Sequence, residues 1–190
     1  MKKEIKKQLE NKKMKKSVID YKWTLKLTLL AFAISFTFSF ISEVALKKAN
    51  LMISIIVVLL FILIGVIFDM IGVAVATADE APFHSMSSRK IKTAKVAVAL
   101  KKNADKVSSF CNDVIGDICG IVSGSAGVVI ALSVSTMFDL PLLGCVLVTT
   151  ATIASLTIGG KALEKSFAIE KSNIILYHFA KTLSLFYKEK

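Results

Sequence analysis

Hydrophobic and polar positions in this chain are sorted into blocks rather than finely interleaved. Four apolar runs lie at residues 23–46, 51–78, 108–135 and 142–160, with lysine-rich or short polar stretches between them. A helix needs about 20 apolar residues to cross ~30 Å of hydrocarbon, so each run is long enough to span a bilayer or close to it. The second and third exceed that length, which predicts tilt or polar positions near one end. The first run follows the leader MKKEIKKQLENKKMKKSVIDYK. That leader is too long and too charged for the n-region of a signal peptide, and the apolar run is too long for an h-region. The pattern predicts an uncleaved anchor.

Two other stretches have helical spacing with a mixed surface. Between residues 84 and 107, Ile91, Ala94, Val98 and Ala104 fall near one face, with Lys92, Lys95, Lys102 and Lys106 mostly elsewhere. Near the C-terminus, Leu176, Phe179, Leu183 and Phe186 recur in the same way. Such helices either lie at a membrane surface or pack on the bundle and on each other, and the spacing alone does not choose. The predicted fold class is an all-α membrane protein. It has four transmembrane helices and amphipathic cytoplasmic juxtamembrane helices.

Composition agrees with the block pattern. Of 190 residues, 54% are hydrophobic, and the net charge is +11. Mean hydropathy is +0.65. A basic chain can bind nucleic acid, but no recognition module accompanies the charge here, so no nucleic-acid partner is expected. The lysines instead follow the positive-inside rule. They crowd the N-terminal arm, the stretch RKIKTAKVAVALKKNADK and the segment after Gly160. With four spans, those three regions fall on one side. Both termini are therefore expected in the cytoplasm, with the protein multi-pass in the plasma or inner membrane. The basic arm, residues 1–22, is expected to meet anionic lipid headgroups.

Candidate chemistry is concentrated in NDVIGDICGIVSGSAG, residues 112–127. Gly116, Gly120 and Gly124 recur at steps of four and predict close packing of a neighbouring helix. Asp113 and Asp117 are spaced to share a helix face. An isolated carboxylate in the bilayer interior costs at least ~2.5 kcal/mol, so each must meet a polar cavity, a cation or a basic partner, or be protonated. Asp69, in the second run, poses the same problem. Oxygen-rich acid clusters suit hard divalent cations, and a proton or sodium path would use the same groups. Cys111, Cys119 and Cys145 lie inside predicted spans and read as small buried residues, with no disulfide or zinc pattern. No catalytic trio or phosphate loop is present, and His84 with Glu80 reads as a boundary pair, so no enzyme activity is expected.

The stretch ATADEAPFHSMSSRKI, followed by KNADKVSSFCNDVIGDI and later by GKALEKSFA, resembles the transmembrane domain of the cyclin M/CorB (CNNM) family of magnesium and cobalt transporters. Glu80 and Ala81 match the family's acidic motif at the end of a span. Ser88 and Arg89 suit the helix that follows. Asp113 and Asp117 stand where two asparagines would be. Gly160, Lys165, Ser166 and Ala168 fit the last motif. The resemblance covers about residues 51–188 and assigns 51–190 to a cyclin M/CorB-like domain with a C-terminal amphipathic helix. Residues 23–50 become an added N-terminal anchor and its loop. It further implies a homodimer, with Mg2+ as the ion handled. The family's soluble nucleotide-sensing domains have no counterpart in this sequence.

By the same resemblance, the magnesium ligands fall on Thr77, Asp113 and Lys161, with Asp117 and Asp69 as further candidates for a cation site. Lys161 stands where the family has a glutamate, and an ammonium has no lone pair to offer a metal. Two functions follow. In the first, the acids replace the lost glutamate and divalent cations are still moved. In the second, Lys161 is a tethered cation in the old site, paired with Asp113 or Asp117, and the protein is a non-transporting scaffold or regulator. A proton-coupled exchanger is a third reading, and in a fourth Lys161 simply snorkels to the interface and touches no acid.

Overall fold

The computed structural model describes residues 21–46 and 49–185. All regular structure among these residues is helical. The elements are α1 (Tyr21–Leu46), α2 (Leu51–Thr77), α3 (Ala81–Ser88), α4 (Lys92–Lys102), α5 (Ala104–Ser109), a π-helical segment π1 (Phe110–Gly116), α6 (Asp117–Phe138), α7 (Leu142–Glu170) and α8 (Ser172–Ser184). α5, π1 and α6 run on as one continuous rod of 35 residues. Among the described residues, that rod, α1, α2 and α7 are the four helices long and apolar enough to cross a membrane. The chain is therefore built as a multi-pass membrane protein.

Three of these long helices form the core. α2, α6 and α7 all pack on one another, and π1 packs on α2. Val58 and Ile62 of α2 meet Ala126 and Ile130 of α6 and Ile153 of α7 in one buried cluster. α1 lies outside this trio. It packs on α6 and π1, where Leu27, Ala31 and Ile34 cover Val114, Ile118 and Val122. Most of its large side chains, such as Phe32, Phe36 and Phe40, stay exposed. That is the surface expected of a helix solvated by lipid, which is as apolar as the side chains themselves.

The short helices gather at the lysine-rich end. The stretch read as one helix over 84–107 is broken at Lys90, whose φ of 61° turns the chain between α3 and α4. α4 and α8 pack on each other. Val96 and Ala97 join Leu176 and Ala180 in a cluster with Val75, Ala78 and Phe83. The buried face of α4 thus runs through Ala94, Val96 and Ala97, whereas Ile91 is exposed. On α8, Leu176 is fully buried, with Phe179 and Leu183 packed beside it, as the spacing predicts; Phe186 and the basic arm through residue 20 lie outside the described residues.

The last span also runs beyond its predicted end. α7 continues ten residues past Gly160 to Glu170. Its apolar run stops near Gly160, but nothing breaks the helix until Lys171. This extension carries Lys161 and Glu164 along the α2–α6 groove.

Candidate functional site

The site lies where α2, α7 and the junction of π1 with α6 come together. Small residues allow the close approach. A β-carbon on Gly65 would sit 3.0 Å from the Cys119 β-carbon, and one on Gly160 would sit 2.9 Å from Val66 Cγ2. A β-carbon on Gly72 would collide with the Asn112 side chain. Gly116 is open enough to admit the tip of Lys161, whose Nζ would be 3.6 Å from an added β-carbon.

Lys161 is the centre of the arrangement. Its Nζ lies 3.5 Å from Asp69 Oδ2 and 3.5 Å from Asp117 Oδ1. Three helices thus contribute one charge each: Asp69 from α2, Asp117 from α6 and Lys161 from α7. The Asp69 side chain is 15% exposed and that of Lys161 28%, whereas Asp117 is 65% exposed and opens onto the outer face of the bundle. The ammonium is therefore shared between one enclosed carboxylate and one open one. Inside a bilayer, this pairing relieves the cost that either isolated acid would carry.

One turn further toward the lysine-rich end is a second polar layer. Asn112 lies against Gly72 there, and Glu164 follows Lys161 by three residues along α7. Asn112 Oδ1 and Glu164 Oε2 are both buried and have no hydrogen-bond partner. Sequence reading passed over these two residues. The apolar period cannot say that α7 stays helical through Glu164. Nor does it reveal π1, whose i→i+5 bonding re-aims the side chains at its start.

The other predicted site residues are dispersed. Thr77 is eight residues beyond Asp69, about 12 Å along the helix. Its hydroxyl is turned inward on its own helix, donating to the Val73 carbonyl at 2.8 Å. Asp113 is exposed and is not paired with Lys161. Among the described residues, no three His, Cys, Asp or Glu side chains converge in a group that could hold a metal ion. Between Asp69 and Asp117 lies the Lys161 ammonium.

The glycine ladder is used only in part. Gly116 is in close contact, but Gly120 and Gly124 meet nothing within 4 Å. Gly127 does the packing higher on α6, against Ile153. All three cysteines are free, with Cys111 and Cys119 buried. His84 lies 3.7 Å from Glu80, both more than half exposed.

No protein-family model matches the chain, and no curated protein does. The cyclin M/CorB resemblance rests on the sequence motifs alone.

Proposed function

We propose that this is a cyclin M/CorB-like membrane protein in which Lys161 replaces the transported ion, making it a non-transporting scaffold or regulator. The observation that carries this reading is the position of the ammonium, 3.5 Å from both Asp69 and Asp117. An ammonium on a four-carbon stem is a compact point charge. Held by two carboxylates, it supplies the positive charge that a bound metal would otherwise bring. Because it is covalently tethered, it does not leave the site.

The remaining assignments belong to the same proposal. The lysine-rich end faces the cytoplasm, which places both termini there and the protein in the plasma or inner membrane. The basic arm touches anionic lipid. The open Gly120 and Gly124 face of α6 serves a homodimer, since small residues let helices approach closely.

One observation favours the transport reading instead. Asp117 remains 65% exposed and Asp113 is exposed beside it, so two acids reach the outer face of α6. The two readings separate in proteoliposomes. Magnesium influx is measured for wild type, Asp117→Asn and Lys161→Ala, each checked for folding. The proposal expects wild-type influx equal to that of empty vesicles. Wild-type influx that is lost in Asp117→Asn overturns it in favour of transport.

A further inference from the structure

The gap between α1 and the core is a second feature, independent of the charged site. α1 packs on α6 and π1 and leaves a cavity of about 390 Å³ between itself and α2. Its lining is wholly apolar. Four phenylalanines dominate it, Phe38 from α1, Phe61 and Phe68 from α2, and Phe110 from π1, with Ile34 and Ile115 between them. The Phe38 and Phe61 rings meet edge to face at 6.4 Å and join α1 to α2. The volume is that of a small-ligand pocket, for which ~300–1,000 Å³ is usual.

What lies above the cavity, toward the lysine-rich end, gives the ligand its polarity. Lys106 is one turn before Phe110, and its Nζ sits 4.8 Å from the centre of the Trp23 ring. Lys22 and Lys26 flank Trp23 on α1 and are exposed, as is Lys102. Asp105 is the one acid in the stretch 101–106. Basic charge therefore prevails at this end of the gap, beside an indole, a side chain favoured at headgroup level. From Trp23 to Ile34 along α1 is about 16 Å. One leaflet of hydrocarbon is about 15 Å deep. An acyl chain whose headgroup rests at Trp23 and Lys106 would therefore reach the phenylalanines.

We infer that the α1–α2 gap is a binding site for one anionic phospholipid, its acyl chain among Phe38, Phe61, Phe68 and Phe110 and its headgroup at Lys106, Lys22 and Lys26. Both ends of the ligand are recognised. The apolar cavity takes the tail by burial of hydrocarbon. The lysines discriminate for negative charge, as juxtamembrane lysines do at an anionic surface. A zwitterionic lipid would use the cavity without the second contribution.

Native mass spectrometry of the detergent-purified full chain, titrated with phosphatidylglycerol or phosphatidylcholine, tests this. Wild type is expected to retain one phosphatidylglycerol about ten-fold more tightly than phosphatidylcholine, a difference of about 1.4 kcal/mol. Ile34→Trp fills the cavity and should abolish retention of both lipids. Lys106→Gln, at the surface, should weaken the preference for phosphatidylglycerol and leave retention of phosphatidylcholine unchanged. Ile34→Ala enlarges the space and should keep binding. Circular dichroism checks that each variant is folded; if Ile34→Trp is not, the Lys106→Gln result decides. Equal retention of the two lipids by wild type, or an unchanged preference in Lys106→Gln, overturns the assignment. Loss of a dimer in Ile34→Trp with no change in lipid retention would also overturn it, by showing that the gap seats a second copy.

Discussion

At the scale of single residues, Lys161 decides the character of the site. Removing its ammonium strands Asp69 and Asp117 in the bundle. An exposed pair contributes about 0–1 kcal/mol, whereas breaking a buried one costs about 3–5 kcal/mol. Lys161 faces one carboxylate of each kind, so Lys161→Ala should fall between those limits. Lys161→Ala combined with Asp69→Asn should recover most of the loss, because the enclosed acid is the costly one. Thermal unfolding in detergent measures both, and equal stability of wild type and Lys161→Ala would show that the pair contributes nothing. Glu164 should respond in the opposite direction. Its Oε2 is buried with no partner, and a polar group buried without a hydrogen bond carries a cost that an apolar side chain of similar length avoids. Glu164→Met is therefore expected to raise the midpoint of the same unfolding curve.

Between elements, closeness is set by particular glycines, and the sequence did not say which. Gly116, Gly120 and Gly124 look equivalent in the chain, yet only Gly116 touches a neighbour. Open space lies beside the other two, although α2 and α7 pack on α6 both before them, at Gly116, and after them, at Ala126, Gly127 and Ile130. Gly72→Ala should therefore destabilise by about 1–3 kcal/mol, the usual cost of overpacking, and Asn112→Ala should relieve it. Gly120→Ala should leave the monomer unharmed or slightly more stable, as Ala exceeds Gly by up to ~1 kcal/mol in helix propensity. A similar loss in both would mean that the ladder is buried after all. The end of α2 offers another test. The Lys101 ammonium donates to the carbonyls of Val75 at 3.2 Å and Ala76 at 2.8 Å. It thereby satisfies acceptors that the last turn of a helix leaves unpaired. Lys101→Met should loosen this end by about 1.5–3 kcal/mol, seen as faster amide exchange in residues 73–78.

For the whole molecule, the four-helix count and the position of the charged end work together. Reporter fusions at residues 1 and 190 should give the same side, and a reporter in the loop after Phe138 should give the other. Opposite sides for the two termini would require an odd number of spans. If the homodimer forms through the open α6 face, Gly120→Leu should halve the mass seen by light scattering without changing helix content. An unchanged dimer would move the interface elsewhere.

The sequence by itself determined the class of the molecule. Runs of about 20 apolar residues have one stable solution in lipid, a helix that bonds its own backbone groups, so the four spans and their lysine-rich flanks are written locally. It also marked Asp69, Asp113 and Asp117 as groups in need of partners, because a charge in an apolar run is out of place wherever the helix goes; Lys161, just past the end of its run, stood out only through the family resemblance. Which acid meets the lysine was decided only in three dimensions. Asp113 and Asp117 are equally good partners on paper, and the π1 segment together with the crossing of α2 and α7 selects Asp117 and Asp69. The buried side-chain oxygens of Asn112 and Glu164 were hidden for the same reason. Helix length and apolar period are properties of one segment, whereas the facing of two side chains depends on the rotation and depth of three segments at once.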